Sequence, residues 1–420
     1  LAELKGITME LLSPAGSLTK LAYAYRYGAD AAYIGLPLFS LRARAENLDD
    51  ALSDTPQRVA QIKGSKKLYA ALNIYFHNPD LGLLKAQAKR IAEYPFDAFI
   101  VSDIGALEIL RPYLPDREFH LSTQANCTNW AAAKMYYSMG FSRIVPGREV
   151  SLDEIRQMKQ KVPDLEIEAF AHGAMCMSYS GRCFLSAESP GRSANRGDCA
   201  HNCRWDYRLS LEEETRPGEF MTVETGQTPS GSYTALLSSK DLNMIDYLQD
   251  FAKAGVDSIK IEGRMKSLYY TALVTRAYRW GMDHIDADPV ENPYRIDLYE
   301  VSHREYNTGF YFDRSSVNIG TMDTAYQRSH LFLGSIEGQK ETGAYLVGVK
   351  NSFSDQDTIE VLGPSLPATS LFPGDFSLLN SSGDPTPRIG SERGGYLVCS
   401  QPLETGFLLR KELLGGKVRE

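Results

Sequence analysis

Four of the six cysteines in this 420-residue chain fall in one short window, at Cys176, Cys183, Cys199 and Cys203. Six, fifteen and three residues separate them. Iron–sulfur clusters need soft thiolates converging on one point, four for a [4Fe–4S] unit. Zinc ribbons and knuckles are typically assembled from tight Cys-x-x-Cys pairs, and none occurs here, so a cluster is favoured over zinc. Free thiols packed as small hydrophobes would want apolar neighbours. Instead the window holds Ser178, Ser180, Arg182, Glu188, Arg192, Asn195, Arg196 and Asp198. Cys127 and Cys399 stand alone and read as packing residues.

The elements around this window must position it. Short β-rich runs at 9–15, 31–36, 67–74, 98–102, 118–123, 143–149, 166–172 and 257–262 alternate with amphipathic segments such as 18–27, 83–94, 129–139 and 152–161. Strict alternation implies a parallel sheet, and eight units imply a closed (β/α)8 TIM-like barrel. The seventh unit is interrupted: the helix due after 166–172 is predicted only at 242–254. That makes 173–241 an insertion carrying the cysteines, with a Gly-, Ser- and Thr-rich hairpin or loop at 212–232. A last barrel helix is predicted over 266–283. The barrel is thus assigned to 1–288, a linker to 289–328, and a small antiparallel β-barrel domain to 329–420, from short strands at 343–349, 357–362, 375–379 and 396–400.

Composition sets the outer limits. Hydrophobic residues at 43% and charged ones at 23% suit a globular chain, and a formal net charge of −8 confines any RNA contact to a local patch. No apolar run is long enough to span a membrane, residues 1–10 lack a signal-peptide pattern, and six cysteines are too few for a disulfide scaffold, so a cytoplasmic location is expected.

At the cysteines the sequence resembles the collagenase-like peptidases, the thirty-second family among peptidases of unassigned mechanism. The signature reads Glu168, Phe170, His172, Gly173, Cys176, Tyr179, Ser180, Gly181, Cys183 and Ser186. Further agreement lies at 11–17, 40–45, 122–126, 239–242, 260–266 and 308–311, so the resemblance covers nearly the whole chain. In length and C-terminal β-domain the chain is most similar to the members that hydroxylate the wobble uridine of tRNA. The resemblance therefore implies an oxygen-independent enzyme forming 5-hydroxyuridine in the anticodon loop, with prephenate as hydroxyl donor and a [4Fe–4S] cluster on the four cysteines. Other members hydroxylate a cytidine of ribosomal RNA or a ubiquinone precursor. Proteolysis is a further alternative, but neither a Gly-x-Ser-x-Gly elbow nor a His-Glu-x-x-His helix is present, and a cysteine nucleophile paired with His172 would use up a cluster thiolate. A noncatalytic RNA-binding protein with a structural cluster is the remaining reading.

A dicarboxylate donor calls for paired hydrogen bonds from cations. Arg42, Arg44, Arg148 and Arg264 fall at or beyond the catalytic-face ends of strands, whereas Lys260 reads as a barrel residue paired with an acid. His172 could relay a proton or orient the cluster, and Glu149, Glu168 and Glu262 could act as acids or bases. Asn73 and Gln124 could hold a base edge or the donor. Tyr179, Trp205 and Tyr207, interleaved with Arg182, Arg192, Arg196, Arg204 and Arg208, are the candidate RNA footprint.

Overall fold

In the computed structural model, which describes residues 9–41, 48, 55–205, 207, 209–223, 226–228, 231–233, 238–312, 326–341, 343–392, 394–413 and 418–419, eight parallel strands close into a barrel. The chain runs β1 (Glu10–Ala15), α1 (Leu18–Arg26), β2 (Ala31–Gly35), α2 (Pro56–Lys63), β3 (Lys67–Leu72), α3 (Asn78–Ala92), β4 (Ala98–Val101), α4 (Ile104–Leu110), β5 (Glu118–Leu121), α5 (Trp130–Ser138), β6 (Arg143–Ile144), α6 (Leu152–Lys161) and β7 (Glu166–Ala174). Beyond β7 lie a one-turn α7 (Leu185–Glu188) and two hairpins, β8 (Leu209–Glu212) with β9 (Phe220–Val223) and β10 (Gly226–Thr228) with β11 (Gly231–Tyr233). The barrel resumes through β12 (Asp241–Asn243), α8 (Leu248–Ala254), β13 (Ser258–Ile261) and α9 (Leu268–Asp283). Closure comes from β13, which pairs in parallel with both β7 and β1.

The barrel strands are buried on both faces, as parallel strands under helices must be; β2 has no exposed residue. Helix starts follow the local chemistry: Ser17, Asn129, Ser151 and Ser267 each accept a backbone N–H at an N-cap. The helix expected from 242 starts at Leu248, because 241–243 instead form β12, antiparallel to the extended end of β7. That pairing is tertiary, and local periodicity carries no trace of it.

The barrel lumen is divided. On the side of β1 to β4 it is filled by Leu12, Ala31, Tyr33, Tyr69, Ala98 and Ile100. Against Tyr69 and Tyr33 lies an ionic layer in which Arg143 contacts Glu10 at 2.6 Å, Glu166 at 2.6 Å and Glu168 at 3.3 Å, and Lys260 contacts Glu168 at 2.8 Å. A register shift sits between Lys260 and Ile261, opposite Phe170 and His172, at the mouth end of β7.

Residues 289–312 hold α10 (Asp297–Glu300) and β14 (Tyr306–Asn307), and β14 extends the barrel sheet by pairing with β12. Next come β15 (Gln327–Arg328), β16 (His330–Glu341), β17 (Ala344–Val349), β18 (Phe353–Ser354), β19 (Ile359–Leu362), β20 (Thr369–Leu371), β21 (Phe376–Leu379), β22 (Arg388–Ile389), β23 (Gly395–Cys399), β24 (Leu408–Glu412) and β25 (Val418–Arg419). Seven of these form an antiparallel half-barrel in the order β20-β19-β24-β16-β17-β23-β21. Its longest strand, β16, was not among the strands expected from sequence.

The domains are joined by buried polar contacts. Arg276 of α9 binds Asp297 at 2.7 Å and donates to the carbonyls of Gly363 and Leu366. Arg410 of β24 reaches Glu300 of α10, Glu360 of β19 and the Tyr269 hydroxyl. Tyr269 also stacks on Phe332, with ring centroids 5.2 Å apart.

Candidate active site at the barrel mouth

The C-terminal ends of the barrel strands, the cysteine segment and β16 enclose one cavity of about 800 Å³. All four clustered cysteines line it, as do Asn73, Gln124, Arg148, Tyr179, Glu262 and Arg264. Six of the expected donor, substrate or proton-handling residues are therefore gathered with the thiols. Arg42 and Arg44 lie outside the described residues. His172, Glu168 and Glu149 are not on the cavity wall.

Backbone geometry explains how the cysteine segment reaches the mouth. Gly173 (φ 108°) and Gly181 (φ 72°) both adopt the left-handed region, and a side chain at either would strike a backbone carbonyl oxygen, Glu262's or Gln124's. Ser180 is buried in a knot, accepting from the Arg148 amide at 3.1 Å and the Thr123 hydroxyl at 3.3 Å while donating to Glu149 at 3.1 Å. Further on, Asn195 donates to the Cys183 carbonyl at 3.1 Å and Asn202 to that of Leu185 at 3.0 Å. Arg196 clamps Asp80 with two bonds of 2.6 and 2.9 Å. The segment is thus stitched to the first turn of α3 and to the turns after β5 and β6.

Cys176 is exposed, the other three cysteines half-buried. Burial pushes the Cys203 thiol up, Arg204 opposes this, and the nearby Cys176, Cys199 and Cys183 add to the rise. Four soft donors on the wall of one cavity are a set that an iron–sulfur cluster could use. Among the described residues no three His, Cys, Asp or Glu side chains are grouped so as to hold a single metal ion. Cys127 and Cys399 are buried, and burial raises the Cys127 thiol to about 11.

Deeper in the cavity the wall is cationic and aromatic. The Arg148 guanidinium lies 4.2 Å over the Phe170 ring and the Lys260 ammonium 4.3 Å over Tyr33. Arg264, 3% exposed, donates to Ser40. Burial alone would raise the Glu168 carboxyl, but Lys260 and Arg143 hold it below the usual carboxylate range; burial pushes Lys260 down. Glu149 is engaged by Asn126 and Ser180. Of the three carboxylates proposed from sequence, Glu262 is the one facing the cavity.

His172 sits outside the lumen in a cage of tyrosines, its Nδ1 3.3 Å from the Tyr278 hydroxyl and its Nε2 3.3 Å from that of Tyr306. Burial lowers its pKa to about 3, so it is neutral. Two other histidines line the cavity, His330 of β16 and His201, which sits between Cys199 and Cys203 in a left-handed conformation (φ 55°) that non-glycine residues rarely adopt. Sequence reasoning passed over His201, although its place between two cysteines was a signal. It also passed over Lys266, and over Phe332 and Asn351 of the C-terminal domain, which line the same cavity.

The rim carries exposed aromatic side chains, Tyr179, Phe184 and Trp205. Among the described residues no helix is long and apolar enough to cross a membrane.

With this geometry, comparison with known proteins places the chain. The family model described as Peptidase family U32 matches residues 16–320, and the chain belongs to that family. It is 36% identical over 395 residues to tRNA hydroxylation protein P of Escherichia coli, covering 84% of this chain and 86% of that one. It is 38% identical over 279 residues to the 23S rRNA 5-hydroxycytidine C2501 synthase of the same organism, covering 66% of this chain and 40% of that one. A protein of Porphyromonas gingivalis named Collagenase is 31% identical over 282 residues, covering 64% of each.

Proposed function

We propose that this protein hydroxylates a uridine of tRNA at C5, at the wobble position, without molecular oxygen, with prephenate as hydroxyl donor and a [4Fe–4S] cluster held by Cys176, Cys183, Cys199 and Cys203. The observation that carries the reading is that the four thiols share one cavity with a cationic, aromatic wall, in a chain resembling a tRNA hydroxylation protein over most of its length.

Replacing C5–H by C5–OH oxidises that carbon by two electrons, which the donor takes up as it gives up its hydroxyl oxygen. The bound cluster would supply electron-transfer capacity beside the reacting groups. The chain's own residues do the rest. Arg148 and Arg264 grip the donor's carboxylates, Arg148 as a flat guanidinium steadied on Phe170. Lys260, paired with Glu168 at 2.8 Å, backs these two arginines from below. The uridine leaves its stack to reach C5, and Tyr179 and Trp205 receive it at the rim. Glu262 accepts the proton lost from C5, and Asn73 and Gln124 hold the base edge or the donor.

Proteolysis fits the site less well. A cysteine nucleophile would also use up a cluster thiolate, and His172, the base expected from sequence, is not on the cavity wall and has both ring nitrogens facing tyrosine hydroxyls.

Nucleoside mass spectrometry of tRNA from cells expressing only the Cys183→Ser chain tests the reading. Loss of 5-hydroxyuridine and its derivatives, together with loss of visible absorbance in the purified protein, is expected. Full modification by that variant would sink it.

A further inference from the structure

The arginines interleaved with the cysteines are mostly committed to holding the segment together. Arg192 is bound to Asp198 at 2.7 Å, Arg196 to Asp80, and Arg182 to the Tyr75 hydroxyl at 3.1 Å; Arg208 lies outside the described residues. Arg204 differs. Its Nη1 donates to the Tyr326 hydroxyl at 3.3 Å and its Nη2 to the Met175 carbonyl at 3.2 Å, while its Nε is buried with no hydrogen-bond partner among the described residues.

A second cation converges on the same tyrosine. The Lys266 ammonium lies 4.0 Å from the Tyr326 ring and donates to the Ser302 carbonyl at 3.0 Å. Neither Arg204 nor Lys266 has a carboxylate partner among the described residues. Arg328, two residues beyond Tyr326, lines the same cavity. Among the described residues, Asp241 is already taken by Arg304 at 2.7 Å, and Glu262 lies on the cavity wall. Arg204 of the cysteine segment and Lys266 of the turn after β13 thus meet at Tyr326, and Arg328 of β15 lies on the wall of the same cavity, where the barrel mouth abuts the C-terminal domain.

We propose that Arg204, Lys266 and Arg328 form a phosphodiester-binding subsite that holds the RNA backbone beside the nucleotide entering the cavity. The inference rests on the RNA-hydroxylase reading and adds where the strand is gripped. A phosphodiester carries one diffuse negative charge and accepts from a guanidinium and an ammonium together, which this pair of side chains offers without having to break an ion pair. The exposed Tyr179, Phe184 and Trp205 give bases a place to stack at the rim, so the backbone must pass close by. Phe332 and Asn351 make the C-terminal domain a wall of the same channel. The donor has its own cations deeper in the lumen, at Arg148, Lys260 and Arg264.

The test is equilibrium binding of a fluorescent RNA hairpin, its loop presenting the target uridine, to cluster-loaded protein across a salt series. Lys266→Gln and Arg328→Gln, both remote in sequence from the cysteines, are measured singly and together, and Arg204→Gln is added where its visible absorbance matches wild type. Each is expected to weaken binding several-fold, and the slope of log affinity against log salt should fall by about 0.7 for each phosphate that is no longer neutralised. Wild-type affinity and slope in the double variant would overturn the proposal. So would loss of prephenate binding, measured by calorimetry, with RNA binding intact, because the site would then serve the donor. Failure of the hydroxylase reading is separate: it shows as absence of 5-hydroxyuridine in nucleoside analysis, whatever the slopes.

Discussion

At the scale of single residues, chemistry is decided by which side of a strand a side chain falls on. His172 follows Glu168 and Phe170 at even spacing, and simple alternation would aim it into the lumen. The register shift opposite Lys260 and Ile261 breaks that phase and turns it toward Tyr278 and Tyr306. Its pKa of about 3 has a measurable consequence. The native state refuses a proton that the unfolded chain takes up near pH 6.5, so this contribution is fully present above that pH and is lost as pH falls toward 3. The cost is about 2 kcal/mol on going from about pH 7 to about pH 5. Urea titrations of wild type and His172→Phe should therefore diverge in pH dependence, the variant being flatter by that amount; parallel curves would mean that His172 takes up its proton in the native protein as readily as in the unfolded chain. The same bulge explains why His172 read as a catalytic candidate from sequence. The cysteines were legible without structure because ligand identity and spacing are one-dimensional facts, whereas Lys266 and Phe332 gain meaning only from what folds beside them.

At the scale of elements, the barrel strands were legible because parallel strands buried on both faces are written as short apolar runs between polar breaks. The half-barrel was read less completely: β16 mixes His330, Gly334, Ser335 and Glu337 with its apolar residues and shows no clean alternation. The start of α8 was misplaced because Leu242 belongs to β12, whose partner β7 is distant in sequence. The cysteine segment has little regular structure, so its shape depends on specific contacts such as the Gly181 turn. Gly181→Ala combines a left-handed backbone cost of about 1–3 kcal/mol with a clash against the Gln124 carbonyl. Limited proteolysis should then cut faster within 176–205 while the far-ultraviolet circular dichroism of the barrel holds. Equal protection in the variant would mean that the turn is not what docks the segment.

At the scale of the whole molecule, the C-terminal half-barrel is bound to the catalytic barrel by buried charge as well as by apolar packing of Leu362, Leu408 and Phe332 against the barrel core. Arg410, 2% exposed, serves Glu300, Glu360 and Tyr269 at once. Arg410→Met leaves two carboxylates without their buried cation, a change that costs about 3–5 kcal/mol, and calorimetry should resolve one unfolding transition into two. A single unshifted transition would show that the domains are coupled elsewhere. Because Phe332 and Asn351 line the reaction cavity, loosening that joint should also lower activity on tRNA. The most direct test of the central claim is an anaerobic reconstitution: cluster-loaded protein, tRNA lacking the modification, and prephenate, followed by nucleoside mass spectrometry. The account predicts that the wobble uridine gains one oxygen atom, and that omitting prephenate or using Cys183→Ser abolishes the gain. Product formed equally well without prephenate, or none formed by the loaded protein, would contradict it.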